Sequence, residues 1–486
     1  MYEISLKDVS FRYNESEIPS LSHINLNIKK GEVVVLCGES GCGKSTVIRL
    51  INGLIPFYYH GELSGEITVQ NHRVREGNIY DLGSRVSTVF QNPRSQFYCV
   101  EVKSELAFGA ENRNIPKEKI QNKIEEITTT MHLEHLIDRT MFQLSGGEKQ
   151  KIACASVSVT DNPIIVLDEP SSNLDLFAIE ELKKMLMLWK EQGKTIVIAE
   201  HRLNYLKDIA GRYIFMEKGN LIDEFSADRF NLFSTKELNA MGLRSISYHE
   251  LQIQNQNRWK DSLTLNDFHF KYRRSKVPSL SIDELKLPKN AVIAVIGRNG
   301  AGKSTFIRNF CGLEKRGKGI LVTNNTKLKS KKRLDSSFLV MQDVNHQLFT
   351  ESVMEEIALS SNGLSGGNMD RLLKEFDLVE LKNWHPMSLS GGQKQRVAVA
   401  SAIASDREFI AFDEPTSGLD YRHMKQVAEC MKTLQKMDKT IFIITHDLEL
   451  IYSCCNYVLH IEEGKIKEQY EMSEENRERM NAFYNK

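Results

Sequence analysis

The 486-residue chain has no net charge, no paired-cysteine pattern and no apolar stretch long enough to cross a bilayer. Its 64 Lys and Arg residues balance 64 Asp and Glu residues. No global field therefore draws it to nucleic acid or an anionic lipid surface, which argues against a dedicated DNA binder. The eight cysteines, at 37, 42, 99, 154, 311, 430, 454 and 455, form no C-x-x-C pair and no zinc spacing. Several sit inside apolar runs as small core residues, so a reducing cytosolic compartment is expected. The longest apolar runs, Val33 to Cys37 and Ala291 to Ile296, are strand-sized, far from the roughly 20 residues of a membrane helix. The opening Met-Tyr-Glu-Ile-Ser-Leu-Lys has neither the charge order nor the apolar length of a signal peptide. If the protein works at a membrane, another chain must supply the membrane part.

What is present is one set of phosphate-handling motifs, written twice. Gly38-Glu39-Ser40-Gly41-Cys42-Gly43-Lys44-Ser45-Thr46 is echoed by Gly297-Arg298-Asn299-Gly300-Ala301-Gly302-Lys303-Ser304-Thr305. Each is followed by a glutamine, an LSGG run, an apolar strand ending Asp-Glu, and a histidine. Tyr13 and Tyr272, like Lys44 and Lys303, stand 259 positions apart. The separation is 251 for Gln91 and Gln342, and 245 for Ser145 and Ser390, Asp168 and Asp413, and His201 and His446. The offset changes only twice, which marks two deletions in surface segments of the second half and leaves the scaffold spacing intact.

Each half opens on alternating strand-like sequence, Ile4 to Phe11 and Leu263 to Phe270, before a buried strand feeds the glycine-rich loop. Pro163 to Leu167 and Glu408 to Phe412 read as central parallel strands covered on both faces. Between glutamine and LSGG the pattern turns helical, most clearly at Lys119 to Met131 and Met369 to Phe376. The expected fold class is α/β, with two P-loop domains in tandem. Each has a mostly parallel sheet core, an antiparallel β subdomain and an inserted helical subdomain. The boundaries expected are 1–226 and 262–468 for the domains, 227–261 for a linker ending in Gln/Asn-rich sequence, and 469–486 for a charged helical tail.

The spacing G-x-x-x-x-G-K-S lets backbone N–H groups curl around phosphate oxygens at a helix N-terminus. Lys44 and Lys303 would reach the β- and γ-phosphates, and Ser45 and Ser304 would place a hydroxyl on Mg²⁺. A featureless glycine turn is the alternative, and duplication in strand context disfavours it. Asp168-Glu169 and Asp413-Glu414 put two carboxylates at the ligand edge of a sheet, costly unless they serve a cation and a proton transfer. The Asp suits the Mg²⁺ shell and the Glu suits a general base; helix capping is the lesser reading. A histidine after an apolar strand is usually core, but His201 and His446 recur after the Asp-Glu strand and are assigned to the γ-phosphate and attacking water. Ser145 with Gly147, and Ser390 with Gly392, form an anion site at a helix start. Leu364-Ser365-Gly366-Gly367 also spells LSGG but breaks the 245 offset, and reads as a turn and helix cap. Ala301 fills the place of Cys42 in the second copy, which marks Cys42 as packing.

P-loop, glutamine, LSGG, Asp-Glu strand and histidine in this order resemble the ABC-type ATPases over nearly the whole chain. The resemblance implies halves meeting head to tail. One ATP site would then combine Lys44, Gln91, Asp168, Glu169 and His201 with Ser390 and Gly392. The other would combine Lys303, Gln342, Asp413, Glu414 and His446 with Ser145 and Gly147. It also implies that Tyr13 and Tyr272 stack on adenine, and that Gln91 and Gln342 join the Mg²⁺ shell. Within the family, Gln91-Asn92-Pro93-Arg94-Ser95-Gln96-Phe97 with Val102 to Asn112 is similar to the energy-coupling-factor importer ATPases. The second half keeps Gln342 to Phe349 and Glu355 to Ala358, but lacks the proline and has Leu359-Ser360 for Phe108-Gly109. Glu200-His201-Arg202 departs from the family's Asp after the His.

The resemblance thus implies an ATP-hydrolysing translocase subunit, peripheral on the cytoplasmic face of the membrane. Its partners would be a membrane scaffold subunit and a substrate-binding membrane subunit for a vitamin or transition-metal ion, with no nucleic acid. The rivals are a soluble tandem protein acting on ribosomes or translation, which needs a long charged linker, a DNA-repair ATPase, which needs a coiled-coil or zinc insertion, and a sugar-type importer ATPase. The basic run Lys327 to Arg333 has no interleaved aromatic and reads as a solvated hairpin.

Overall fold

The computed structural model describes residues 2–14, 16–172, 174–253, 259, 261–273, 277–361 and 366–484. The chain divides into two units, Met1–Ser247 and Tyr248–Lys486.

In the first unit, β1 (Tyr2–Tyr13), β2 (Leu21–Lys29), β3 (Val33–Cys37), β4 (Gly61–Val69), β5 (His72–Arg73), β6 (Val86–Val89), β7 (Ile164–Asp168), β8 (Thr195–Ala199), β9 (Arg212–Glu217) and β10 (Asn220–Ser226) form two sheets. An antiparallel sheet runs β2-β1-β4-β5, as the alternation at Ile4 to Phe11 predicts for a half-buried face. The other runs β10-β9-β3-β8-β7-β6 and is parallel except at the β10 edge. Every residue of β3 and β8 is buried, which is why these runs read as continuously apolar and why a ligand is expected at their C-terminal edge.

The second unit repeats the plan with β11 (Ser262–Phe270), β12 (Leu280–Pro288), β13 (Val292–Ile296), β14 (Ile320–Thr323), β15 (Thr326–Leu328), β16 (Ser337–Val340), β17 (Phe409–Asp413), β18 (Thr440–Ile444), β19 (Tyr457–Glu462) and β20 (Lys465–Glu471). The orders are β12-β11-β14-β15 and β20-β19-β13-β18-β17-β16, the first unit's orders with equivalent strands. The helical insertions are Val102–Glu111 and Lys117–Thr130 in one unit, Val353–Ser360 and Gly366–Glu375 in the other. They cover the amphipathic segments expected from sequence.

Three expectations need correction. Residues 227–253 of the expected linker are not free, while 254–258 and 260, where its Gln/Asn-rich end falls, lie outside the described residues. Helices Ala227–Phe230 and Thr235–Ala240 fold into the first unit, and Phe230, Leu238, Leu243 and Ile246 are buried in its core. Phe230 stacks on Tyr213 at 3.9 Å between ring centres, while Gly242 abuts the Glu39 side chain in the P-loop. Tyr248, Leu251 and Ile253 pack against the second core instead, so the division falls at Ser247. The tail from 469 is likewise attached: β20 runs to Glu471, and helix Arg477–Tyr484 buries Met480. Finally, the basic run 327–333 is half strand and half helix, Ser330–Ser336. Arg333 is fully buried, donating to the carbonyls of Asn309 and Gly319 and lying 4.8 Å from the Phe268 ring centre. Of the second LSGG run, Leu364 and Ser365 lie outside the described residues; helix Gly366–Glu375 starts at its first glycine.

Candidate nucleotide site

β3 and β13 each end in a tight glycine loop followed by a helix, Lys44–Ile51 and Lys303–Phe310. At Gly38 and Gly297 φ is 149° and 148°, and a Cβ would collide with the carbonyls of Met216 and Ile461. Only glycine lets the loop pass that close. The helix-capping residues Gly43 and Gly302 offer no side chain, and no acid stands in either first turn. The first-turn amides and helix dipole are thus left for an anion.

Lys44 Nζ donates to the carbonyls of Gly38 and Glu39, both at 2.9 Å, and Lys303 Nζ to those of Gly297 and Arg298 at 2.7 and 3.1 Å. Both lysines are buried. Lys303 Nζ also lies 3.2 Å from His446 Nε2. Ser40, Gly41, Asn299 and Gly300 form the loop crests between these anchors. Cys42 is buried within 3.7 Å of Lys44 Nζ; burial pushes its thiol up despite the lysine. It is therefore packing and not a reactive thiolate, as its counterpart Ala301 suggests.

Ser45 Oγ donates to Asp168 Oδ1, and Ser304 Oγ to Asp413 Oδ2, each at 2.8 Å. Hydroxyl and carboxylate are hard oxygen donors and suit Mg²⁺. Among the described residues no cluster of three or more His, Cys, Asp or Glu forms a metal site. A cation here would draw its remaining oxygens from phosphate and water. Burial, then the Glu169 charge, push the Asp168 carboxyl up to about 6 against the Ser45 hydrogen bond; burial also raises Asp413. A carboxyl raised in the fold costs stability above its folded pKa, and the cost fades as pH falls toward its unfolded value. Asp168→Asn is accordingly expected to stabilise the nucleotide-free protein by about 1–3 kcal/mol at pH 8, and much less at pH 4.5. Thermal melts in chelator at the two pH values check this.

Glu169 and Glu414 both adopt left-handed backbone, φ 44° and 51°. Such conformations are strained for a residue with a Cβ and cluster at functional sites. Each is pinned by its amide, Glu169 to the Ala199 carbonyl at 2.8 Å and Glu414 to that of Ile444 at 2.9 Å. The Glu169 carboxylate accepts from Gln91 Nε2 at 2.7 Å and faces His201 Nε2 at 3.2 Å. Burial pushes its pKa up, but His201, Lys44 and Gln91 together outweigh that and hold it below the usual carboxylate range. His446 Nε2 stands 3.5 Å from Glu414 Oε1, and Gln342 is exposed just beyond β16.

Tyr13 and Tyr272 are also brought to the loops, their hydroxyls 3.3 and 3.2 Å from Thr46 Oγ1 and Thr305 Oγ1. Ser145 and Ser390 are not joined to their own domain's P-loop. Exposed, they cap helices Gly146–Thr160 and Gly391–Ala404 through capping boxes with Glu148 and Gln393, which leaves Gly147 and Gly392 in the first turns. Sequence reasoning missed Arg49, whose guanidinium donates to Tyr13 Oη at 2.8 Å and lies 4.3 Å from the Tyr59 ring centre. It missed Glu105 and Glu356 too, although both keep the 251 spacing of the glutamines.

Comparison with known proteins agrees with this geometry. The family model described as "ABC transporter" matches residues 21–172 and 280–417. A Treponema denticola protein and a Lactobacillus johnsonii protein, each called "Putative ABC transporter ATP-binding protein", are 42% and 32% identical. Both matches cover 95% of this chain, with 96% and 89% of the relatives. Among solved structures, a chain in a model of ribosome-bound archaeal Pelota and ABCE1 is similar in fold, with TM-score 0.72 and 20% identity over 98% of this chain and 80% of that one.

Proposed function

The chain belongs to the ABC transporter family and is an ATPase, and from that premise we propose that it powers a membrane importer of the energy-coupling-factor type. ATP bound at each P-loop would be completed by the LSGG serine and glycine of the other domain, Ser390 and Gly392 for Lys44, Ser145 and Gly147 for Lys303. Binding would close the halves and hydrolysis would release them. Ser45 with Asp168, and Ser304 with Asp413, would hold Mg²⁺, with Gln91 and Gln342 nearby; the ion would supply charge neutralisation on the phosphates. Lys44 and Lys303 bind phosphate oxygens, and Tyr13 and Tyr272 orient the base. Glu169 and Glu414 take up a proton from the attacking water, while His201 and His446 hold it against the γ-phosphate.

The observation carrying the transport reading is the surface built by the segment after each glutamine. Glu105, buried in the first helix of the insertion, accepts from the amides of Tyr98 and Cys99 at 3.0 and 2.8 Å. Its counterpart Glu356 accepts from the amides of Phe349 and Thr350 at 2.9 and 3.0 Å. These buried carboxylates fix loops whose aromatic side chains point outward, Tyr98 being 77% and Phe349 72% exposed. Two residues after Tyr98, exposed Val100 accepts the amide of Met141, the chain neighbour of exposed Phe142, and exposed Trp384 accepts the amide of Val353, four residues after Phe349. Exposed aromatic side chains on loops pinned by buried carboxylates suit an apolar partner. A membrane scaffold subunit at the cytoplasmic face is that partner, carrying a substrate-binding membrane subunit for a vitamin or metal ion.

No described helix is long and apolar enough to cross a membrane. Purification of the tagged chain from detergent-solubilised membranes is expected to recover small hydrophobic subunits. Tyr98→Asp with Phe349→Asp is expected to lose them while ATP binding persists. Recovery with ribosomes in place of membrane proteins would favour a translation role.

A further inference from the structure

Around the two histidines the repeat is broken in a particular way. The first domain reads Glu200-His201-Arg202 and the second Thr445-His446-Asp447. Glu200 is only 2% exposed, and a carboxylate so buried is tolerated only when donors saturate it. They do: it accepts from the amides of His201 at 2.7 Å and Ser171 at 3.2 Å, and from Tyr205 Oη at 2.8 Å. Burial, then the adjacent carboxylate, keep the Tyr205 hydroxyl protonated and donating. Ser171 lies two residues after Glu169, so Glu200 ties the segment following the glutamate to the segment carrying the histidine.

In the second domain the same tie comes from the other side of the histidine. Asp447, also buried, accepts from Thr416 Oγ1 at 2.8 Å, and Thr416 is the counterpart of Ser171 in the 245 spacing. Thr445 fills the place of Glu200 and accepts the Asp447 amide at 3.0 Å. Leu450 fills the place of Tyr205. Where Asp447 would fall in the first domain, Arg202 instead donates to the Leu174 carbonyl at 3.5 Å. Carboxylates at both positions would be two like charges in one buried pocket, so one position excludes the other.

We infer that Glu200 is a positioning residue of the first ATP site, doing from before His201 what Asp447 does from after His446, by holding the Glu169 and His201 segments in register. The inference rests on the ATPase activity alone and stands or falls separately from the transport reading.

The test moves the carboxylate across the histidine in the full chain carrying Glu414→Gln, where the first domain's glutamate is the one left to act. Against that parent, Glu200→Thr is expected to lower kcat about tenfold or more with KM for ATP changed less than about threefold, since small misplacements of reacting groups act on turnover. Adding Arg202→Asp is expected to restore kcat to within about threefold of the parent. Glu200→Gln, isosteric, provides a second reading if the threonine variant does not fold, with the same kcat-only loss. An unchanged kcat in Glu200→Thr would overturn the inference. So would a loss that Arg202→Asp does not recover while KM and Tm stay at parental values. So too would kcat, KM and Tm falling together in Glu200→Gln, which would make Glu200 a packing residue.

Discussion

Glu169→Gln in the full chain is expected to cut ATP turnover at its own site about 10²- to 10⁴-fold, the usual contribution of a positioned general base, and to leave ATP trapped at that site. Glu169 has no other evident task. Its backbone is strained at φ 44°, it is half-buried beside His201 and Gln91, and those neighbours, with Lys44, hold its pKa below the usual carboxylate range. An ionised base at neutral pH can accept the water's proton without first losing its own. Glutamine keeps the shape and an acceptor for Gln91, so the fold and nucleotide binding survive. Glu414→Gln is expected to act in the same way, because strain, histidine and strand position recur. Phosphate release and retained nucleotide after gel filtration measure both effects. Unchanged hydrolysis in the double variant would remove both glutamates from the chemistry.

Lys44→Ala and Lys303→Ala should each weaken ATP at their own site by about 10- to 100-fold, as loss of a charged hydrogen bond of about 1.5–3 kcal/mol requires. Each ammonium already bridges two loop carbonyls at 2.7 to 3.1 Å. Removing it therefore loosens the cradle as well as deleting the charge. Lys303 also contacts His446 at 3.2 Å, so its loss should perturb turnover by the remaining ATP more than loss of Lys44 does. Equilibrium binding of a fluorescent ATP analogue resolves the affinities. Loss of affinity with no change in Tm separates site damage from unfolding.

How much was legible differs residue by residue. Lys44, Ser45, Asp168 and Glu169 could be read because a glycine loop and a strand end are local patterns, and because the constant 245 spacing lets one copy check the other. The parallel sheets were legible for the same reason: β3, β7 and β8 are apolar on both faces and leave no other reading. The segment 227–247 misled because its four buried hydrophobic residues, Phe230, Leu238, Leu243 and Ile246, are spread among polar neighbours with no clear period. Arg333 misled because a cation in a run of cations reads as solvated, yet two carbonyls and the Phe268 ring hold this one inside.

The sequence by itself determined that there are two ATPase domains, which glycine loops run into helices and which carboxylates stand at the strand ends. Those choices are written in short motifs whose geometry follows from neighbouring residues. Only the tertiary structure decided where the domains divide, that Arg49 holds Tyr13, that Glu105 and Glu356 set the exposed aromatics, and that Glu200 and Asp447 do equivalent work from opposite sides of a histidine. Such pairings join segments tens of residues apart, and burial rather than spacing decides which polar groups must find one another.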